Sequence, residues 1–190
     1  MDVADAIAVR RAYRAFSDRP IEKEKVAALI EAMRLAPSCS NNQPWRVVVC
    51  RHDGLLRMRE ALNRGNAWAT TAPMILVVTS KPSLDCRLNE GRDYYQFSCG
   101  LAVGQMLLRA TELGLIAHPI AGYDPGKAKE ACGIPVDHVV ITTIICGYPG
   151  EDLSLLSEKQ IAQQKERPKR LPRGEAFFSE RWGEPFVDVD

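Results

Sequence analysis

At 190 residues, with 46% hydrophobic and 26% charged side chains, the sequence reads as one soluble globular domain with enough length for a sizeable core. A formal net charge of +1 argues against a dedicated nucleic-acid binder, which carries a marked basic excess. No segment approaches the run of about 20 apolar residues that a membrane helix needs, and no signal-peptide pattern opens the chain, so cytoplasm is the expected location.

Residues Asp2 to Arg11 predict a short helix, with Asp2 as cap and Val3, Ala6 and Ile7 on one face. Arg10, Arg11 and Arg14 follow, three guanidinium groups within five residues around Tyr13. Such a cluster is either a solvated surface patch or a grip on phosphate, for which guanidinium is the bidentate choice. Ile21 to Ala36 is a clear amphipathic helix, because Val26, Leu29, Ile30 and Met33 fall at i, i+3, i+4 and i+7, and Pro37 ends it. Between this helix and the apolar strand Arg46–Cys50 lies an uncharged loop, Pro37 to Trp45, rich in hydroxyl and amide side chains. Two prolines stiffen it. It is either a turn-rich linker that satisfies its own backbone or a surface for a flat, polar-edged ligand.

Leu55 to Leu62 predicts a second amphipathic helix. Asn66 then sits in a loop before Ala72-Pro73 and a strand, Met74 to Thr79, where it can cap the segment that follows. Tyr94 to Leu108 carries no charge, and its apolar and small residues cover every side, which predicts a central helix buried all round, within the domain or against a partner chain. His118 adjoins the segment Pro119-Ile120-Ala121-Gly122 and is read as a partly buried histidine with a backbone partner. Asp124-Pro125 fits N-cap and N1 of a helix running to about Cys132. Pro135 to Cys146 is nearly all β-branched and predicts a central strand buried on both faces. Beyond Gly150 the composition turns polar. Lys165, Arg167, Lys169, Arg170 and Arg173 crowd together, but interleaved glutamates oppose a nucleic-acid patch. Phe177-Phe178 through Trp182 and Phe186-Val187 is too apolar for a free tail.

The six cysteines show no C-x-x-C pair and match no zinc framework. They are expected to be reduced thiols, and no metal site is expected. No G-x-G-x-x-G motif supports a Rossmann nucleotide site.

Several of these pieces carry a resemblance. Ala36-Pro37-Ser38-x-x-Asn41-x-Gln43-Pro44-Trp45 resembles the corresponding loop of the nitroreductase family, which are homodimeric FMN-dependent NAD(P)H oxidoreductases. The segment Arg10-Arg11-Ala12-x-Arg14-x-Phe16 resembles the family's phosphate-binding opening, with Ala12 in place of a serine, so one hydroxyl contact is missing. By the same resemblance Pro37, Ser38, Cys39, Asn41 and Gln43 line the flavin loop, and Asn66 reaches the ring. Pro119 and Ile120 lead to Ala121 and Gly122, whose backbone N–H groups meet N5 and O4. Arg170, with Lys169 second, returns to the phosphate.

The resemblance implies an α+β fold with a mostly antiparallel sheet flanked by helices, forming an interlocked homodimer with FMN at the interface. Residues 1–150 would form the flavin-binding core, and 151–190 an extension that packs on the partner subunit. The implied reaction takes hydride from NADH or NADPH through FMN to a small organic acceptor, such as a nitroaromatic or quinone, in a ping-pong cycle. No side chain is required as catalytic acid or base. Two alternatives stand beside it: a dehydrogenase or dehalogenase on the same fold, and a flavin-free thiol redox protein using Cys39.

Overall fold

A computed structural model describes residues 1–186. Four strands form one antiparallel sheet in the order β1-β2-β4-β3, with β1 at Arg46–Cys50, β2 at Met74–Ser80, β3 at Ile116–Ile120 and β4 at Val139–Gly147. This is the mostly antiparallel α+β architecture that the family resemblance implies. The two central strands show why it holds together. Along β2, Met74, Leu76 and Val78 point to one face and Ile75 and Val77 to the other, the period of two that a strand imposes. Both faces are apolar, so the sheet needs cover on both sides.

The cover comes from two pairs of helices. On one face lie α2 (Lys23–Arg34) and α4 (Tyr94–Glu112), which bury Leu29, Met33, Cys99 and Met106 against the even-numbered β2 residues. On the other lie α3 (His52–Arg59) and α5 (Pro125–Cys132), which bury Leu55, Met58 and Ala128. The short α1 (Val3–Val9) is capped by the Asp2 carboxylate, which accepts from Asp5 N–H at 2.8 Å, and packs on α4. Asp124 caps α5 through Lys127 N–H, with Pro125 at N1, as expected.

Three differences from the sequence reading stand out. The Ile116–Ile120 strand is not among the elements the sequence reading named, and it contains Pro119, a residue that ordinarily disfavours a strand. It is tolerated because β3 is an edge strand, and a missing N–H on the open side removes no ladder bond. Helix α4 continues one turn past Leu108 to Glu112, and it is not buried all round: Phe97 is 55% exposed, and Gly100 and Gln105 share its open side. Helix α3 begins at His52 instead of Leu55, with Arg51 as its cap.

After β4 the chain forms α6 (Glu158–Lys165), opened by a capping box between Ser157 and Gln160, and the single turn α7 (Arg173–Ala176). The aromatic terminal stretch folds into a small bridge, Phe178 to Pro185, yet Trp182 stays 90% exposed. Val187 lies outside the described residues. Among the described residues, no helix is long and apolar enough to cross a membrane.

The sheet register decides where the loops emerge. Arg46 pairs with Thr79, Ser80 with Val139, and Ile120 with Thr143. The loop before β1 and the Ala121-Gly122 segment after β3 therefore leave at the same end of the sheet. They do so from opposite edges, three strand spacings or about 14 Å apart.

Candidate functional site

The arginines at the start of the chain are held by two anchors. The first is the chain just past the end of β4, where Gly150 N–H donates to Ala15 C=O and Ser17 N–H to Tyr148 C=O. A Cβ on Gly150 would fall 2.4 Å from the Phe16 carbonyl carbon, so only glycine allows this approach. The second anchor is α6. The Gln164 side-chain carbonyl accepts from Arg14 and Ala15 N–H at 2.8 and 3.2 Å. The Arg11 guanidinium donates to the carbonyls of Gln163 and Gln164, a cation placed at a helix C-terminus.

Behind these arginines lies a stack of rings. Trp68 is fully buried between Phe16, at 6.0 Å between centroids, and His118, at 4.8 Å. His118 Nδ1 lies 2.9 Å from Tyr13 C=O, and facing a carbonyl it must be the donor. Burial drives the His118 pKa down to about 4, opposed by that hydrogen bond and helped by Arg14 and Arg10. The residue is a neutral clamp on the arginine segment, as its sequence context suggests.

The result is a cavity of about 290 Å³ lined by Arg10, Arg11, Arg14, Arg167 and Arg170, together with Tyr13 and Gln163. Two ends of the chain meet here. Arg167 ties them together by donating to the carbonyls of Ala8 and Arg10. Burial, then Arg167 and Arg170, push the Arg10 pKa down, the signature of cations crowded together. Among the described residues, no carboxylate pairs with Arg10, Arg14, Arg167 or Arg170. Such a cavity is built for a multiply charged anion. Lys169 is exposed and does not line it. Arg167 was passed over in the sequence, where it looked like one more member of a basic crowd.

A second group forms at the end of β3. The Asn66 amide donates to Gly122 C=O at 2.8 Å, and Asn63 N–H donates to the same oxygen at 3.1 Å. A Cβ on Gly122 would sit 2.4 Å from Asn66 Nδ2. Asn66 therefore caps no helix: it lies within the 3-10 stretch Arg64–Thr71 and locks the Gly122 turn. The N–H groups of Ala121 and Gly122 donate to no described residue. Ile120 is buried in the core and bonded through its carbonyl to Thr142, while Pro119 is half-buried.

The third group is the loop before β1. Ser40, Asn41 and Gln43 all have positive φ, at 48°, 57° and 48°. Ser38 Oγ accepts from Gln43 N–H, and the Gln43 amide donates to Asn41 C=O. Pro37 and Asn41 are exposed. One expectation about this loop is corrected: Cys39 is not a free thiol but is bonded to Cys86. The partners are 47 residues apart, and nothing in their spacing announces the pairing. Cys50, Cys99, Cys132 and Cys146 are free, in line with the expectation.

Within one chain these groups do not converge. The cavities around Arg10 include no residue of the 38–43 loop.

Comparison with known proteins shows the family and the fold. The sequence model of the Nitroreductase family matches residues 7–67 and 58–148. An Archaeoglobus fulgidus protein, named as a candidate NADH dehydrogenase/NAD(P)H nitroreductase, is 31% identical over 88% of this chain and 94% of its own. A solved oxidoreductase described as containing FMN superposes with a TM-score of 0.82 at 28% identity, covering 97% of this chain and 93% of that one. A nitroreductase family protein from Clostridium difficile shares the fold at TM-score 0.78 and 24% identity, over 95% and 99% of the two chains.

Proposed function

The chain belongs to the nitroreductase family and is an FMN-dependent NAD(P)H oxidoreductase; from that premise we propose how its own residues serve the reaction. FMN, when bound, would supply two-electron chemistry linking NADH or NADPH to a small organic acceptor such as a nitroaromatic or quinone, in a ping-pong cycle. The observation that carries the assignment is the carboxylate-free arginine cavity formed by both ends of the chain. Arg10, Arg14 and Arg170 hold the phosphate there. Arg11 and Arg167 are already engaged with backbone carbonyls, so they shape the cavity and add charge. Lys169 adds long-range attraction from outside it.

The free N–H groups of Ala121 and Gly122 would present donors to the N5 and O4 edge of the ring, where they would stabilise developing negative charge without a side-chain acid. Asn66 and Gly122 fix that turn. Ser38, Cys39, Asn41 and Gln43, with Pro37 behind them, form the polar wall on the other side. That wall stands at the opposite sheet edge, so the full site is assembled from two protomers of a homodimer. Residues 1–150 supply the core, and the chain from 151 to 186 returns to the phosphate cavity and packs on the partner subunit. We place the protein in the cytoplasm.

Anaerobic stopped-flow absorbance tests the reading. Protein reconstituted with FMN should bleach in the visible on mixing with NADH or NADPH and recover colour on mixing with a quinone. Failure to retain FMN, or retention without bleaching by either donor, would refute it.

A further inference from the structure

The Cys39–Cys86 bridge joins the loop before β1 to the segment after β2, and the loop it pins gathers three of the positive-φ non-glycine residues described. Three non-glycine residues with positive φ stand within four positions, each disfavoured for an L side chain. Such a conformation persists only where its surroundings over-determine it. The bonds that do so gather at the bridge. The Asn42 amide donates to Asp85 Oδ1 at 3.1 Å and approaches Cys86 Sγ at 3.6 Å, and Ser40 Oγ lies 3.9 Å from the same sulfur. Asp85 is only 9% exposed, and its Oδ2 is buried without a partner. A carboxylate oxygen of Asp85 lies within 4.8 Å of both sulfurs. A buried, under-satisfied carboxylate beside a half-buried disulfide is a proton acceptor placed where thiol chemistry would need one.

We propose that Cys39–Cys86 is a thiol–disulfide exchange site for a dithiol reductant, and that its oxidised state fixes the 38–43 loop in its ligand-ready conformation. The exchange is balanced by the reductant. One thiolate of the dithiol attacks a bridge sulfur, the S–S bond breaks, and the released cysteine sulfur takes up a proton. The second thiol, losing its proton to Asp85 or water, then displaces the other cysteine, leaving two protein thiols and a cyclic disulfide. Two electrons and two protons pass from dithiol to protein. Once the bridge is open, the loop keeps only the short turn bonds from Asn41 and Asn42 N–H to Ser38 and Cys39 C=O and a few side-chain hydrogen bonds to hold its conformation, and it relaxes. In a reducing compartment a bridge of this kind is transient and signals redox state. The link to cofactor affinity rests on the proposed function of the loop.

Hydrogen exchange followed by mass spectrometry, with and without dithiothreitol, tests this on the purified dimer. Differential alkylation should label Cys39 and Cys86 only after reduction. Reduction should then speed exchange in residues 38–43 by about tenfold or more while α4 stays protected. Cys86→Ser and Cys39→Ser should each exchange like the reduced protein and ignore dithiothreitol. Both cysteines labelling without reductant after air oxidation, or unchanged loop exchange on reduction, would overturn the proposal. FMN affinity should fall several-fold in parallel. Faster loop exchange with constant FMN affinity would preserve the switch and remove only the cofactor role of the loop.

Discussion

His118, Gly122 and the paired roles of Arg10 and Arg11 each give a test at the level of one side chain. His118 is 7% exposed with a pKa lowered to about 4, against an ordinary value of 6.5. The unfolded chain therefore binds a proton between those values that the folded chain refuses. The stabilisation is complete above about pH 6.5 and is lost as pH falls toward 4, up to about 3 kcal/mol in all. Denaturant melts from pH 7 to 4 should show this loss, and His118→Gln should flatten the profile above pH 4.5. Glu22 and Asp137, held low chiefly by hydrogen bonds with Tyr148 and Lys81, lose their contributions from about their ordinary values, 4.5 and 3.8, down to about 2, so they add to the acid end of the profile and His118 dominates it above pH 5. Gly122→Ala should destabilise by about 1–3 kcal/mol through its clash with Asn66, and adding Asn66→Ala should recover part of the loss; additive losses would mean the clash is not the cause. For the arginines, stability and binding should separate. Arg11→Ala releases α6 and should lower the melting free energy of apo-protein by about 1–2 kcal/mol. Arg10→Ala relieves like-charge crowding, so apo-stability should hold or rise while FMN affinity drops by about 1.5–3 kcal/mol.

At the level of elements, what the sequence announced depended on periodicity. Strand β2, helix α2 and the Asp124-Pro125 start of α5 were legible because one local rule governs each. Strand β3 was less legible: it contains Pro119, whose tolerance depends on an edge position that only the finished sheet defines. The open side of α4 was hidden for a related reason: a helix that faces a partner and one that faces its own core share the same apolar pattern. In the candidate site, Arg10, Arg14 and Arg170 could be singled out by motif, but their meeting rests on Arg167 and Gln164, whose bonds span some 150 residues. The Cys39–Cys86 bridge was illegible for the same reason of distance along the chain.

On the scale of the whole molecule, one chain leaves Phe97, Trp182 and Phe177 in water and keeps the 38–43 loop apart from the arginine cavity. The proposed homodimer would answer both facts, with a second copy covering the apolar surfaces and bringing its own loop to the cavity. Sedimentation should find a dimer. Phe97→Asp should weaken it and release FMN at the same protein concentrations; a monomer that keeps its flavin would separate the two claims. The central claim is that both ends of the chain converge to hold the phosphate of a flavin, and titration of apo-protein with FMN and with riboflavin tests it most directly. Losing two or more charged hydrogen bonds should make riboflavin bind about a hundredfold more weakly or worse, and Arg10→Ala combined with Arg170→Ala should erase most of that gap. Equal affinity for the two flavins in the wild-type protein would contradict the account.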